Sequence, residues 1–394
     1  MIRRKMRPVK RAWNEIRSKF EVVIIEGAGS PAEINLRSQD IVNMRTAKMA
    51  DAPVILVADI DRGGAFASLM GTFALLLPSE RRYIKTFLLN KFRGDPSLLG
   101  NAMDEITKRT GVPFLGVIPY KHDLSIQEED AVPSRVQGSP RPEVRIGVIY
   151  LQHISNFTDL DPLAWEPDVQ LIYVMEPVEV TGLDAIILPG TKNTSEDLIR
   201  LYESGLAEAI KHAAIRGTPV VGICGGYQML GMSIDDKQQT ESDKKHLPGL
   251  GLLPVKTFFQ GKKVLGQAVL SPSGAHPFLT DKSLKLNGYE IHHGRTLPLK
   301  GARTAFISAD KAEGCVNADG KVFGCYLHDL FENDLFRRNF VNILRKLKNL
   351  SPLEAPLVNV VAHREKGFDE LADMVLDNIN TNLLDKLVGL ESAS

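Results

Sequence analysis

Cys224 stands in the segment Pro219-Val220-Val221-Gly222-Ile223-Cys224-Gly225-Gly226-Tyr227-Gln228-Met229-Leu230-Gly231. An apolar run leads directly into a cysteine, two glycines and a helix-forming stretch, the strand–turn–helix setting of a nucleophile elbow. Small neighbours let such a turn tighten until the thiol is exposed, and the following helix start favours the thiolate. The Gly225 amide is then placed to meet a developing oxyanion. A structural cysteine at a strand end is the competing interpretation, and the paired glycines weigh against it. A thiol nucleophile needs a base. Among nine histidines, His328 has the most informative context, following the apolar run Val322–Tyr326 in Gly324-Cys325-Tyr326-Leu327-His328-Asp329. His292 and His293, in Gly288-Tyr289-Glu290-Ile291-His292-His293-Gly294, are the next choices. The turn Leu188-Pro189-Gly190-Thr191-Lys192-Asn193-Thr194 offers the Gly190 amide as a second oxyanion donor. Cys315 and Cys325 lack an elbow and are expected in the core. No Cys/His pair has the spacing of a metal-ligand set.

These residues need strands that end at one edge. Continuous apolar runs alternate with helix-length stretches, the pattern of βαβ units around a buried parallel sheet. In the first third, Val22–Ile25, Pro53–Ala58, Thr86–Asn90 and Pro113–Ile118 are expected strands. Asp40–Asp51, Ala65–Leu77 and Ser97–Thr110 are expected helices. Polar clusters close three of the strands: Glu26-Gly27-Ala28-Gly29-Ser30, Asp59-Ile60-Asp61-Arg62-Gly63-Gly64, and Lys91-Phe92-Arg93-Gly94-Asp95. Ligands bind beyond such strand ends in open α/β sheets. Ser134–Glu143, rich in Pro, Gly, Ser and charge, is expected as a linker. The alternation then restarts with strands at Val144–Tyr150, Val169–Tyr173, Ala185–Leu188 and Pro219–Ile223, and one helix over Leu198–Arg216. Further strands are expected near Val264–Leu270, Thr304–Ile307 and Val322–Tyr326, with a helix from Asp334 to about Lys348. Ser233–His246 is expected as an exposed loop, and Phe368–Leu390 as amphipathic helical turns.

The 394 residues suffice for two or three domains. Lys+Arg and Asp+Glu balance at 48 each, so no net field recruits nucleic acid or an anionic membrane. No run approaches the roughly 18 apolar residues of a membrane span, and no secretory h-region follows the basic start. Three cysteines are no disulfide framework, which points to a reducing, cytoplasmic compartment.

Together, GICGGYQMLG, LPGTKNT, NGYEIHHG and YLHDLF resemble the glutamine amidotransferase domain of the cobyric acid synthase and cobyrinic acid diamide synthase type. IIEGAGSPAEINL, VADIDRGGAFAS and LNKFRGD resemble the cobyric acid synthase family in particular. The resemblance runs from about residue 8 through essentially the whole chain, in the family's order. It implies an α/β fold: residues 1–137 a P-loop-NTPase-like, dethiobiotin synthetase-like nucleotide-binding amidoligase domain, residues 143–350 a flavodoxin-like class I glutamine amidotransferase domain, and residues 351–394 a C-terminal helical extension. It implies ATP- and glutamine-dependent amidation of the b, d, e and g carboxylates of adenosylcobyrinic acid a,c-diamide in cobalamin biosynthesis. Cys224 would release ammonia from glutamine with His328 as proton shuttle, and ATP with Mg would activate each carboxylate as an acyl phosphate. No tightly bound prosthetic group is expected. On the nucleotide side the resemblance places Glu26, as a Mg partner, with Asp59, Asp61, Asn90, Lys91 and Asp95. Members of this type lack the usual third-member glutamate two residues after the histidine, and here that place is Leu330.

Two departures from the family stand out. Cys325 and Asp329 replace the usual Thr and Gly around the histidine, and Asp329 is expected to face solvent. No Gly-Lys-Ser or Gly-Lys-Thr occurs in the chain, whereas the family opens with a P-loop. The expectation is therefore a nucleotide-binding domain truncated before its P-loop, with the basic opening MIRRKMRPVKRAWNEIRSKF as a solvated helix. The alternatives to a working synthase are then a chain that acts with a separate N-terminal P-loop polypeptide, only the glutaminase subunit of a split enzyme, or a non-catalytic corrinoid-binding protein. An amidoligase for another substrate, such as a hydrogenobyrinic acid or a cell-wall lipid glutamate, would keep the Cys–His chemistry, but EGAGSPAEINL argues against it.

Overall fold

The computed structural model describes residues 2–121, 126, 134–259, 263–274, 283–309, 311–354 and 357–390. The chain divides into two compact units, residues 1–126 with 365–394, and residues 127–364.

The first unit is built on a three-stranded parallel sheet, β1 (Val54–Asp59), β2 (Ile84–Phe92) and β3 (Phe114–Pro119), in that order. Helices Ala65–Leu75 and Ala102–Thr110 supply crossovers, the right-handed logic of parallel pairing. Leu56, Leu69, Phe87, Leu89 and Ile106 form its core. The helix Ile2–Arg17 is solvated along its length, as its charge run leads one to expect. The expected strand Val22–Ile25 does not form. Its backbone pairs with no strand among the described residues, and Ile24 is 93% exposed, so β-branched propensity has no neighbour to act on. The helix Thr381–Val388 follows a turn in which Ile379 bridges Gly116 of β3, where a Cβ would lie 2.1 Å from the Asn378 carbonyl oxygen. A C-terminal piece that reads only as amphipathic turns thus meets the β3 edge of the first unit's sheet.

The second unit carries a ten-stranded mixed sheet. In chain order its strands are β4 (Val136–Gly138), β5 (Val144–Ile149), β6 (Val169–Val174), β7 (Ala185–Leu188) and β8 (Val220–Ile223). A small sheet follows with β9 (Ser233–Asp235), β10 (His246–Pro248) and β11 (Val255–Phe258). Then come β12 (Val264–Pro272), β13 (Leu286–His292), β14 (Arg295–Pro298), β15 (Arg303–Ser308), β16 (Lys311–Val316) and β17 (Val322–Cys325). The large sheet is ordered β13-β12-β15-β16-β17-β8-β7-β5-β6-β4, with β17, β8, β7, β5 and β6 mutually parallel. Helices cover it, so every residue of β7, β8 and β17 is buried. That explains why these strands read as continuous apolar runs.

Three expectations change here. Ser134–Glu143 is not wholly a linker, because Val136–Gly138 adds to β6 as an antiparallel edge strand. Leu198–Arg216 is not one helix. Gly205, at φ 79°, breaks it into Thr194–Glu203 and Leu206–Ile215, a left-handed turn that glycine adopts at least cost. Ser233–His246 is not wholly exposed: its ends pair as β9 and β10, and Asp236 is buried, accepting from the Thr240 and Glu241 amides.

Candidate active site

The parallel strands β17, β8, β7 and β5 lie side by side and end at the same edge. The segments just past those four ends carry His328, Cys224, Gly190 and Asp159, so residues 169 positions apart in sequence meet. Cys224 has φ 52° and ψ −109°, a conformation a non-glycine residue adopts only under constraint. The constraint is visible on both sides. The Cys224 amide donates to the Cys325 carbonyl at 2.9 Å, and its carbonyl accepts from Gln228 at 3.1 Å. A Cβ on Gly226 would stand 1.9 Å from the Leu188 oxygen, and one on Gly222 2.7 Å from the Tyr227 nitrogen. Only glycine permits helix Gly225–Leu230 to seat this tightly on β7 and β8. The helix has six residues, so its dipole is short.

His328 is 1% exposed. Its Nδ1 lies 2.6 Å from Oδ2 of Asp159, itself 2% exposed, and Asp159 Oδ1 accepts from the Asp329 amide at 3.3 Å. His328 Nε2 has no hydrogen-bond partner of ordinary length among the described residues. Burial alone would lower the pKa of this ring, but the hydrogen bond to Asp159, the Cys224 thiol and the Asp159 charge outweigh it and push it up to about 10. Tyr289 stacks on the ring at 5.0 Å and 14°, and its carbonyl accepts the His328 amide at 2.9 Å. A Cβ on Gly288 would fall 2.1 Å from the His328 oxygen. The stretch NGYEIHHG is thus the platform beneath His328. His292 and His293 serve that platform: His292 stacks on Tyr326 at 3.6 Å, and the His293 carbonyl accepts from Gln228 at 2.8 Å.

Gly225 follows Cys224 directly, and Gly190 lies against the His328 ring. A Cβ on Gly190 would come 3.1 Å from His328 Cε1, and one on Gly225 2.6 Å from Thr191 Cγ2. The turn between them is fixed by Ser155, whose amide donates to the Gly190 carbonyl at 2.9 Å, and by Asp197, which accepts from the Thr191 hydroxyl. Glu241 reaches back from the β9–β10 connection and accepts the Ser195 amide at 3.1 Å; burial raises its carboxyl to about 7, against the lowering by that amide and Thr194.

In the first unit, Asp59 ends β1 and pairs in register with Asn90, two residues before the end of β2. Asp59 accepts from the Asp61 amide at 2.9 Å and lies 3.7 Å from Arg62 and 4.0 Å from Lys91. Arg93 grips Asp61 with contacts of 2.6 and 3.2 Å and stacks over Tyr120 at 3.4 Å. Asn90 accepts the Lys91 amide at 2.9 Å, and Lys91 takes φ 62°. Asp95 caps a single helical turn, accepting from Ser97 at 2.8 Å, which lowers its pKa. Glu26 sits on the exposed extended segment, away from any strand. Among the described residues, no three or more His, Cys, Asp or Glu gather into a group that could hold a metal ion. A cleft of about 970 Å³ opens nearby in the sequence, lined mainly by residues between Ala28 and Arg45 with Lys48, Leu77 and Glu80.

The profile of the CobB/CobQ-like glutamine amidotransferase domain matches residues 145–336, and that of an AAA domain matches residues 3–128. The cobyric acid synthase of Pelotomaculum thermopropionicum is 45% identical over 352 residues, covering 87% of this chain and 67% of that protein. The cobyric acid synthase of Salmonella choleraesuis is 45% identical over 377 residues, covering 93% of this chain and 74% of that protein. A solved chain from the PurLQS structure of Thermotoga maritima aligns at 20% identity and a TM-score of 0.42, covering 51% of this chain and 99% of that one. The chain belongs to the cobyric acid synthase family. Membership brings glutamine-dependent amidation in cobalamin biosynthesis to this sequence. The two matched profiles account for the order of a P-loop-like parallel-sheet domain and then an amidotransferase domain.

Cys224, His328, Gly190 and Gly225 are thus gathered at one edge. Asp59, Asp61, Asn90 and Lys91 group at a second edge, where Asp95 is engaged in its own cap and Glu26 stands apart. Asp329 is half-buried rather than solvent-facing. Burial, Glu332 and Asp159 push its carboxyl up to about 7. Cys315 and Cys325 are buried thiols whose pKa burial raises. Asp159 is the site residue that motif spacing does not reveal. Its only signal in the sequence is an acidic turn, Asn156-Phe157-Thr158-Asp159, shortly after the end of β5.

Proposed function

We propose that this chain converts adenosylcobyrinic acid a,c-diamide to cobyric acid by amidating its b, d, e and g carboxylates, using glutamine as nitrogen donor and ATP as activator. The observation that carries the amidotransferase half is the junction of the Cys224 elbow, directly after β8, with His328, three residues after the adjacent parallel strand β17. Glutamine binds with its side-chain amide over Cys224. The thiolate attacks the amide carbon, and the carbonyl oxygen takes up charge toward the Gly190 and Gly225 amides. His328, protonated in the resting site, gives its proton to the departing nitrogen, so that ammonia leaves and a thioester to Cys224 remains. Water, giving a proton to His328, then attacks the thioester carbon; the C–S bond breaks, releasing glutamate and restoring the thiolate and the protonated His328.

The synthetase half activates a substrate carboxylate by taking the γ-phosphoryl group of ATP. Ammonia attacks the resulting acyl phosphate and expels phosphate, leaving the amide. Asp59, Asp61, Asn90 and Lys91 are proposed to meet the nucleotide, and the cleft carrying Arg37, Arg45 and Lys48 to receive anionic groups of substrate. Magnesium is proposed to arrive on the nucleotide's own phosphates, with Glu26 as the exposed carboxylate nearest in motif. Among the described residues no helix is long and apolar enough to cross a membrane.

Glutamine hydrolysis by Cys224→Ser tests the amidotransferase half. Loss of at least about 10³-fold in kcat is expected, on the scale of nucleophile removal in other acyl-transfer enzymes. Undiminished hydrolysis would overturn it.

A further inference from the structure

His328 lacks the glutamate two positions later that commonly orients such a base, because Leu330 is there and is fully buried in the core. The structure nevertheless leaves Nδ1 of His328 neither exposed nor unsatisfied. It is held at 2.6 Å by the carboxylate of Asp159, delivered from the 3-10 turn Phe157–Leu160 that follows β5. We propose that Asp159 is the positioning residue of this active site, fixing the His328 ring so that Nε2 faces Cys224 and stabilising the imidazolium that the glutaminase cycle requires. The inference rests on the Cys224–His328 assignment made above.

Three observations support it. First, both side chains are nearly inaccessible, at 1% and 3% exposure, so the pair is not a screened surface contact. Second, the geometry leaves one ring nitrogen for each neighbour: Nδ1 is taken by Asp159, and Nε2 has no other partner of ordinary length among the described residues. That is the tautomer-setting arrangement in which the far nitrogen exchanges protons with a nucleophile. Third, the turn bearing Asp159 is tied to the site on its other side. Asn156, at φ 54°, donates to the Tyr289 hydroxyl, and Tyr289 lies flat on the His328 ring. A carboxylate placed merely to tie the Asp329 amide would not need the ring held at Nδ1 and stacked on Tyr289.

The charged and titratable groups facing His328 are Asp159, Cys224, Asp329 and Tyr289, with Glu332 and Arg364 behind Asp329. The test is the pH profile of Cys224 alkylation by iodoacetamide, beside glutamine kinetics, in the full chain and in Asp159→Asn and Asp159→Glu. Without the carboxylate the imidazolium weakens, and the thiolate forms only at higher pH. Asp159→Asn is therefore expected to move half-maximal alkylation to higher pH and to lower kcat about 10²- to 10⁴-fold with KM little changed. Asp159→Glu should restore part of both. An alkylation profile for Asp159→Asn that coincides with the unaltered chain overturns the proposal, even if turnover falls, because a structural role alone would do that. Should Asp159→Asn fail to fold, the unaltered chain still decides. A strongly downfield ring-proton resonance that disappears in His328→Gln is expected, and its absence in the unaltered chain overturns the proposal. Glutamine hydrolysis surviving in Cys224→Ser would instead overturn the nucleophile assignment.

Discussion

Gly190 and His328 are in such close approach that a methyl group on Gly190 would stand 3.1 Å from Cε1 of the imidazole. That distance is tighter than ordinary van der Waals contact, so the turn after β7 and the proposed base after β17 share one fitted surface. Gly190→Ala is expected to displace the ring by a fraction of an ångström without disturbing the sheet. A full misplacement of about 1 Å costs about 10²-fold in a positioned reaction, which bounds the effect here. Glutamine hydrolysis should fall, by up to about that factor, while the thermal midpoint stays nearly constant; equal activity would show that the ring has room to yield.

Gly226 makes the stronger structural demand. Its Cβ would lie 1.9 Å from the Leu188 oxygen, a backbone atom that cannot swing aside. Gly226→Ala should cost about 1–3 kcal/mol or more, the range for forced overpacking, and should relax the Cys224 turn at the same time. Denaturant melting measures the first effect, and loss of rapid iodoacetamide labelling at Cys224 the second.

Behind the active-site edge, Arg338 is fully buried between Glu166 at 2.9 Å and Asp168 at 2.8 and 3.0 Å, and Arg345 reaches Asp168 at 2.8 Å. Arg338→Ala leaves two carboxylates short of their partner and should destabilise by about 3–5 kcal/mol near neutral pH. The sign of the pH dependence follows from Asp168. Burial alone would raise its pKa, but Arg338 and Arg345 outweigh that and hold it below the ordinary carboxylate value. A group depressed in the folded state contributes fully above its unfolded pKa, near 4, and loses that contribution as pH falls through the folded value. The stability gap between the unaltered chain and Arg338→Ala should therefore be widest near neutrality and shrink in strong acid. A gap independent of pH would contradict this account.

On the proposed function the two units divide the chemistry, so a lesion in one should spare the other. Asp59→Asn, at the end of β1, is expected to lower amidation with glutamine and with ammonia alike, and to leave glutamine hydrolysis unchanged. Assaying the three reactions side by side checks it. A selective fall in hydrolysis would place Asp59 in the wrong half.

Much of the parallel scaffold was legible because strands buried on both faces must be continuously apolar, as β7, β8 and β17 are. Glycine was equally informative at the elbow, where Gly222 and Gly226 are required by backbone approach. Antiparallel strands such as β13 and β16 escaped notice, since their half-exposed residues dilute the apolar signal. Val22–Ile25 misled for the converse reason: β-branched residues do not make a strand without a neighbour to pair with. Asp159 was invisible because it reaches His328 across 169 positions, through the parallel order of the sheet, and no local spacing encodes that.

The account's central claim is that ammonia freed at Cys224 is used to amidate the corrinoid carboxylates. The most direct measurement is mass spectrometry with chromatography of adenosylcobyrinic acid a,c-diamide incubated with the chain, magnesium-ATP and either glutamine or ammonia, in the unaltered chain and in Cys224→Ser. The account predicts stepwise amides with both donors in the unaltered chain, and with ammonia alone in Cys224→Ser. Amides formed from glutamine by Cys224→Ser, or no amide from either donor with the unaltered chain, would contradict it.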